Sequence, residues 1–304
     1  MRLVLSLLVL LMSGWVSLPV FAQEFDVTDI VAASDAFLAD PSEANRGTLI
    51  AALDDYTGEA TVQSVNAYVR LLMHDAVGDN GEDLIESATR ATAHLEPVSD
   101  ILPKQYLEAR FLAAVAQFNH DPDPETMLEM AHVEGRSRAF TDEIGEQPVW
   151  AETLKWKADA WGMAMGAYFE STRDRGPSEQ EIQTILASYG ADVATLNALA
   201  DRSLDDAGLA FCSGKLIQRP AMKYPAGQLN RGRIGAVIME FDLDTAGKVI
   251  NPRVRASVPE GVFDEKSTRV VGKWKYKPQN KNAVGVSCRL ERTNVVVPFV
   301  FEIR

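Results

Sequence analysis

The chain has 304 residues, 46% of them hydrophobic and 24% charged, and a formal net charge of −13. This length is sufficient for two ordinary domains, each with its own core. The negative charge argues against a nucleic-acid partner, because phosphate backbones attract cationic surfaces.

The N-terminus has the pattern of an export signal. Met1-Arg2 is followed by an apolar run from Leu3 to Phe21 that ends at a small residue, Ala22. This pattern predicts a cleavable signal peptide over 1–22 and export to the periplasm. The alternative is a retained inner-membrane anchor, since the run approaches the ~18 residues that a spanning helix needs.

The charge changes sign along the chain. Residues 23–210 contain 12 Lys and Arg against 35 Asp and Glu, whereas residues 211–304 contain 17 against 8. The sequence also changes there from Ala/Leu/Glu-rich to Val/Gly/Pro-rich. We therefore predict an acidic domain over 23–210 and a basic domain over 211–304.

Helical periodicity dominates the acidic region. Apolar stripes run from Glu59 to Ala76, from Pro103 to Phe118 and from Pro148 to about Arg173. Pro177 is predicted as the N1 start of another helix, roughly Ser178 to Tyr189, that ends at Gly190. We expect about eight or nine helices in an α-hairpin array of the kind seen in tetratricopeptide-like repeat proteins. The ~34-residue repeat signature itself is not satisfied, so an irregular all-α domain is predicted.

The sequence contains no pattern of an active site or a metal site. It has no Gly-x-Ser-x-Gly elbow, no phosphate-binding Gly-rich loop and no His-Glu-x-x-His pair. His120 and His132 lie among acidic residues, but these look like a loop and a helix start. We therefore expect a non-enzymatic protein without a cofactor or a metal ion.

The basic region reads as a small α+β domain of order β-β-α-β. Alternation predicts strands over Arg233 to Leu243 and Val249 to Ser257, joined by a turn at Gly247. A helical stripe then runs from Phe263 to Trp274. The last strand, Val295 to Ile303, contains Pro298, which favours an edge position. A three-stranded antiparallel sheet with one helix is expected.

Both cysteines, Cys212 and Cys288, lie in the basic region. An even pair in an exported domain predicts one disulfide, which would stabilise the fold by on the order of 4–5 kcal/mol. The alternative, a redox-active pair, usually has Cys-x-x-Cys spacing, which is absent here.

The basic region resembles the C-terminal domain of the TonB family. Four parts of the sequence match that pattern: Tyr224-Pro225 before Gly232 and Gly235; Val237 and Phe241-Asp242 before Gly247; Val249, Asn251, Val254 and Ser257; and Phe263-Asp264, Val270 and Trp274-Lys-Tyr276-Lys-Pro278. The resemblance implies a domain that binds a short peptide of an outer-membrane TonB-dependent receptor by strand addition. One departure is Ala221, where the family has Gln.

The resemblance implies a contact surface in two segments, before and including Tyr224-Pro225 and on the final strand. The expected partner-binding residues are Pro220, Met222, Tyr224, Pro225, Val296, Pro298 and Val300. Packing within the fold is the alternative role for Tyr224 and Pro225.

Two functions remain open at this point. The first is a TonB-like protein that binds a receptor or another envelope protein and supports transmembrane transport. The second is a soluble periplasmic scaffold that uses helical repeats for protein-protein interaction, without energy transduction. The basic domain is also a candidate for binding peptidoglycan or anionic lipid, because of its positive charge.

Overall fold

The computed structural model describes residues 26–78, 81–140, 145–172, 176–189, 214–221, 224, 234–278 and 291–301. The predicted signal peptide and the predicted disulfide between Cys212 and Cys288 lie outside these ranges and stay predictions. The chain forms two compact units, Met1–Thr126 and Met127–Arg304. Within the described ranges, no helix combines the length and apolar character needed to cross a membrane.

The first unit consists of helices. They are α1 (Thr28–Ala39), α2 (Glu43–Asp54), α3 (Val62–Val77), α4 (Gly81–Leu95) and α5 (Pro103–His120), with a short 3-10 helix at Glu96–Val98. Helix α1 packs against α2 and α3, and α4 packs against α3 and α5. Thr61 begins α3 with a capping box, in which its hydroxyl accepts from the Ser64 N–H.

A buried arginine joins three helices of the first unit. Arg46 of α2 donates to both carboxylate oxygens of Asp75 in α3, from Nε at 3.1 Å and from Nη2 at 3.0 Å. Asp83 and Glu86 of α4 approach the same guanidinium at 3.3 and 3.2 Å. Hydrogen bonding to Asp75 raises the pKa of Arg46. This paired geometry compensates the cost of removing the charges from water.

The second unit contains most of α6 (Pro124–Ala139), followed by α7 (Val149–Thr172) and α8 (Glu179–Ser188). Of the apolar stripe of α7, Leu154, Trp161 and Met165 are buried, whereas Trp150 and Tyr168 are half-buried. Helix α8 begins one residue later than expected. Ser178 is its N-cap and forms a capping box with Glu181, so Pro177 precedes the cap instead of opening the helix.

The strands and the last helix follow in the predicted order. Strands β2 (Gly235–Leu243), β3 (Val249–Val258) and β5 (Arg292–Phe301) form an antiparallel sheet in the order β3-β2-β5, with helix α9 (Asp264–Val271) between β3 and β5. Two short strands that the sequence did not predict, β1 (Gly214–Gln218) and β4 (Lys275–Pro278), pair separately. The helical array followed by an α+β region is thus confirmed.

One face of the sheet packs on α9 and an aromatic cluster. The rings of Phe263 and Phe301 stack with their centroids 4.1 Å apart, and Trp274 contacts Phe241 and Phe299 at 6.1 and 5.4 Å. Such pairs contribute about 0.5–1.5 kcal/mol each beyond the area that they bury. This is the face predicted from the alternation of β2 and β5.

On the other face of the sheet, the central strand is buried as well. Ala236 and Ile238 are inaccessible there, and α7 packs against β2, β3 and β5. Glu240, 1% exposed, accepts from Arg253 and Arg255 of β3. The buried Glu240 carboxylate is therefore paired.

Asp242 of the central strand binds an irregular residue on each neighbouring strand. Its Oδ2 accepts from Asn251 Nδ2 at 3.0 Å and its Oδ1 accepts from the Asn294 N–H at 2.9 Å. Both asparagines have left-handed φ, 51° and 56°, and both lie where the strand register shifts. Asn tolerates this conformation better than most residues, so Asp242 stabilises both irregularities.

Gly235 is required by close packing at the start of β2. A Cβ atom there would lie 2.2 Å from the Val258 carbonyl oxygen and 2.4 Å from the Phe263 ring. We expect Gly235→Ala to lower the free energy of unfolding of this unit by about 2–3 kcal/mol, because backbone and ring must both move. Tryptophan fluorescence during urea unfolding measures it, since Trp150, Trp156, Trp161 and Trp274 all lie in this unit.

Gly162→Ala is the matched control for this substitution. Gly162 lies inside α7 with no atom within 4 Å of the added Cβ, so alanine should raise the free energy of unfolding by about 0.5–1 kcal/mol. Equal effects of the two substitutions would contradict the packing account of Gly235.

Candidate functional site at the sheet edge

Strand β5 is an edge of the three-stranded sheet. It pairs with β2 on one side, and no described residue pairs with its other side. Pro298, which has no N–H to donate, lies in the middle of the strand, as the edge prediction requires. An unpaired edge presents backbone N–H and C=O groups that can pair with another chain.

The opposite edge, β3, is less suited to pairing. It contains Pro252 and the charged residues Arg253 and Arg255, and its register against β2 shifts twice. Its start is also occupied, because Lys248 bridges to Lys275 and the Val249 N–H donates to the Trp274 carbonyl at 3.3 Å. Charges, proline and bulges are the features by which natural sheets prevent edge pairing. Strand β5 also contains a proline and one register shift, but from Thr293 to Phe301 it carries no charged residue, and no described residue pairs with its outer side, so it is the more receptive edge.

A cleft lies beside β5, on the sheet face opposite to the aromatic cluster. We call it the helical cleft; its volume is about 630 Å³, and α6, α7, α8 and β5 line it. Its apolar walls comprise Met127, Met130, Trp156, Met163, Ile182, Leu186, Val296, Pro298 and Val300. Volumes of 300–1,000 Å³ with mostly apolar walls are typical of binding sites.

Charged residues from two helices meet in the helical cleft. Glu134 and Arg138 of α6 form an ion pair, and Asp159 of α7 lines the same cleft. Burial raises the pKa of the Asp159 carboxyl to about 7; Glu134 adds to the rise, and Arg138 and Lys155 oppose it. Burial likewise raises the pKa of Glu134 and lowers the pKa of Lys155. A carboxyl in this position changes its charge near neutral pH.

The predicted partner-binding residues lie on both faces of the sheet. Val296 and Val300 are 37% and 42% exposed and line the helical cleft with Pro298. Tyr224 lies on the opposite face, where its ring contacts Phe263 and Phe301 edge-on at 5.7 and 5.8 Å.

The other predicted positions are less informative. Pro220 is half-buried after β1, and Met222 and Pro225 lie outside the described residues. The structure therefore brings Val296, Pro298 and Val300 together and separates Tyr224 from them. Among the described residues, no group of three His, Cys, Asp or Glu side chains is arranged to hold a metal ion.

Sequence reasoning missed the charged residues of the cleft. Glu134 and Arg138, and likewise Lys155 and Asp159, are spaced four residues apart on consecutive helices. Such spacing places each pair on one helical face. That these faces meet beside β5 depends on tertiary contacts that the spacing does not contain.

The raised pKa of Asp159 predicts a pH-dependent stability. Because the folded-state value lies above the unfolded value of about 3.9, this group's contribution to the free energy of unfolding is complete below about pH 4 and is lost as pH rises through about 7. We expect Asp159→Asn to remove this loss. The variant should exceed the wild type at pH 8 by up to about 4 kcal/mol, at about 1.4 kcal/mol per pKa unit.

Urea unfolding followed by tryptophan fluorescence at pH 4, 6 and 8 checks this. Glu170→Gln, at an exposed position of the same cleft, is the control and should leave the pH dependence unchanged. A difference between Asp159→Asn and wild type that does not grow with pH would contradict the prediction.

The segment of the chain that contains β5 is similar to a known protein family. Residues 220–303 match the family of the Gram-negative bacterial TonB protein C-terminal. A stretch of 71 residues is 30% identical to Protein TonB of Yersinia enterocolitica and covers 23% of this chain and 28% of that protein. The chain thus spans little more than a quarter of that relative's length. With the predicted strand order, these matches identify residues 220–303 as a TonB C-terminal domain, distantly related to that TonB and preceded in this chain by a helical region.

Proposed function

We propose that this chain is a non-enzymatic, TonB-like protein of the periplasm whose C-terminal domain binds a peptide by strand addition at β5. The partner would be an outer-membrane TonB-dependent receptor or another envelope protein, and binding would support TonB-dependent transport. The match of residues 220–303 to this family supports the envelope location and a binding role. Domains of this family are typically non-enzymatic.

The single observation that carries the proposal is the receptive edge of β5. Its backbone is unpaired on one side among the described residues, and its outward side chains are apolar and exposed. Backbone hydrogen bonds give affinity for an extended peptide whatever its sequence, and pockets beside the strand give selectivity. Strand β3 lacks this combination because Arg253 and Arg255 are charged and because its start is already paired.

Amide hydrogen exchange tests the proposed strand addition. The probes are synthetic peptides that tile the periplasm-facing segments of outer-membrane TonB-dependent receptors. A binding peptide should slow exchange in β5, Arg292–Phe301, because outward N–H groups gain acceptors, and should leave β3, Val249–Val258, unchanged. The same peptide methylated on alternate backbone nitrogens is the control and should lose both binding and protection.

Protection that appears only in β3, or only in the helices of the first unit, would sink the strand-addition proposal. Equal binding of the peptide and its N-methylated form would do the same, because side-chain contacts alone would then explain the affinity.

A soluble periplasmic adaptor is the second candidate. The observation that favours it is that α6, α7 and α8 form one compact unit with the TonB C-terminal domain and line the cleft beside β5. These helices are thus part of the candidate binding region. This arrangement suits an adaptor, because a transducer would need a stiff spacer in their place. Peptidoglycan and anionic lipid remain further candidate partners of the basic region on charge alone.

The N-terminus of the protein in cells separates the two candidates. The measurement is N-terminal sequencing and fractionation of a C-terminally tagged copy in a Gram-negative host. A chain that begins near Gln23 and fractionates with periplasmic proteins favours the adaptor, since no anchor would connect it to an inner-membrane motor. A chain that retains Met1 to Ala22 and fractionates with the inner membrane favours the transducer. We expect the first result from the small-residue exit at Ala22.

A further inference from the structure

The helical cleft lies where the side chains of an added strand would point. Val296, Pro298 and Val300 alternate along β5 and share the sheet face that lines the cleft. Successive side chains of a strand point to opposite faces, and neighbouring strands lie about 4.8 Å apart. Every second side chain of a peptide paired with the outer edge of β5 therefore extends over this cleft.

The apolar walls of the cleft suit aliphatic side chains of varied shape. Three methionines, Met127, Met130 and Met163, come from the α6 and α7 sides. Methionine is unbranched and polarizable, and it adapts to different partners better than branched side chains do. This wall selects an apolar side chain without selecting one particular residue type.

The charges of the cleft select a cation. Four lining residues are acidic, Glu134, Asp159, Glu170 and Glu179, against one lining base, Arg138. Arg138 is paired with Glu134, Glu179 accepts from Gln183 at 2.8 Å, and β5 contributes no charged residue to the lining. Arg138 and Lys155 act on the charge of Asp159, but no described residue donates a hydrogen bond to it, so its carboxylate oxygens are open to a donor from a partner.

We propose that the helical cleft contacts alternate side chains of a peptide added to β5 and selects among them. The partner is an extended segment with aliphatic residues at alternate positions and a lysine or arginine among them. This inference rests on the proposed strand addition and adds the class of peptide that is bound. The selectivity comes from α6, α7 and α8, which lie outside the matched residues 220–303.

The preference for a cation should increase with pH. The ionisable groups near Asp159 are Glu134 and Arg138 from α6 and Lys155 from α7. Glu170 of α7 and Glu179 of α8 line the cleft as well. Asp159, with a pKa of about 7, gains its negative charge between pH 6 and pH 8, while acids with ordinary pKa values are already ionised.

A random peptide library tests the proposal without knowledge of the natural partner. The purified chain is panned at pH 8 against displayed random decapeptides, and enriched sequences are synthesised with their basic residue kept as Lys or replaced by Gln. We expect enrichment of alternating aliphatic residues with a Lys or Arg. Fluorescence anisotropy should show the Lys form binding about five- to tenfold tighter than the Gln form at pH 8, and less than twofold tighter at pH 6.

Two variants assign the preference to the cleft. Asp159→Asn should remove the preference for Lys over Gln at pH 8 while the peptides still slow amide exchange in β5. Glu260→Gln removes an acid of the same unit that does not line the cleft, and it should change nothing.

The outcomes separate this inference from the proposed function. Peptides that protect β5 but show no basic preference, or a preference that survives Asp159→Asn, overturn the inference and leave strand addition standing. An absence of bound peptides overturns both. If light scattering shows a dimer that Val300→Glu dissociates, the edge belongs to a second copy of the chain, which overturns the inference as well.

Discussion

The second unit depends on covering a three-stranded sheet that is apolar on both faces. Strand β2 is buried along nearly its whole length, with Val237, Met239 and Phe241 toward the aromatic cluster and Ile238 on the other side. Helix α9 and Trp274 cover the first face, but they leave the second exposed to water. At about 25 cal/mol per Å² of apolar surface, an uncovered face would be costly. Helix α7 supplies the missing layer, so the TonB C-terminal domain and the helices before it share one core.

Arginine side chains explain how a buried charge is tolerated at the centre of the sheet. Glu240 would be very unfavourable in an apolar layer without partners. Arg253 and Arg255 neutralise it from β3, and Arg255 lies 3.9 Å from Glu152 of α7. The pairing thus extends from the sheet to the helix that covers it. Because a guanidinium has several donors, one arginine can serve both carboxylates.

Much of this fold follows from the sequence, and the reasons for the remainder are physical. Period-two alternation predicted β2, β3 and β5, and Pro298 predicted the edge, because both signals are local. Strands β1 and β4 were not predicted, since each has at most five residues, carries lysine and finds its partner about 60 residues away. The alternation of β2 predicted one buried face, whereas Ala236 and Ile238 at the other parity are buried as well. The second face is covered by α7, a contact that no local pattern contains.

The candidate site, like the fold, was predictable from the sequence only in part. Val296, Pro298 and Val300 follow from the alternation of one strand, so their common face was predictable. Tyr224 was grouped with them through its place in a family motif, yet its ring packs in the core beside Phe263. The cleft opposite β5 needs three helices and a strand to converge. No local pattern contains that arrangement, and the i,i+4 spacing of its charged residues places each pair on one helical face without showing that these faces meet beside β5.

The two hydrogen bonds of Asp242 determine what an approaching chain encounters. By holding Asn251 and Asn294 in left-handed conformations, this carboxylate fixes the alignment of both outer strands against the central one. A slip of β5 by one residue would exchange its core side chains with its outward ones, and Asp242 would then lose its partner. The register of β5 is therefore fixed, and so is the position of each group along its outer edge. Partners of different sequence would all contact Val296, Pro298 and Val300 at the same positions along the strand.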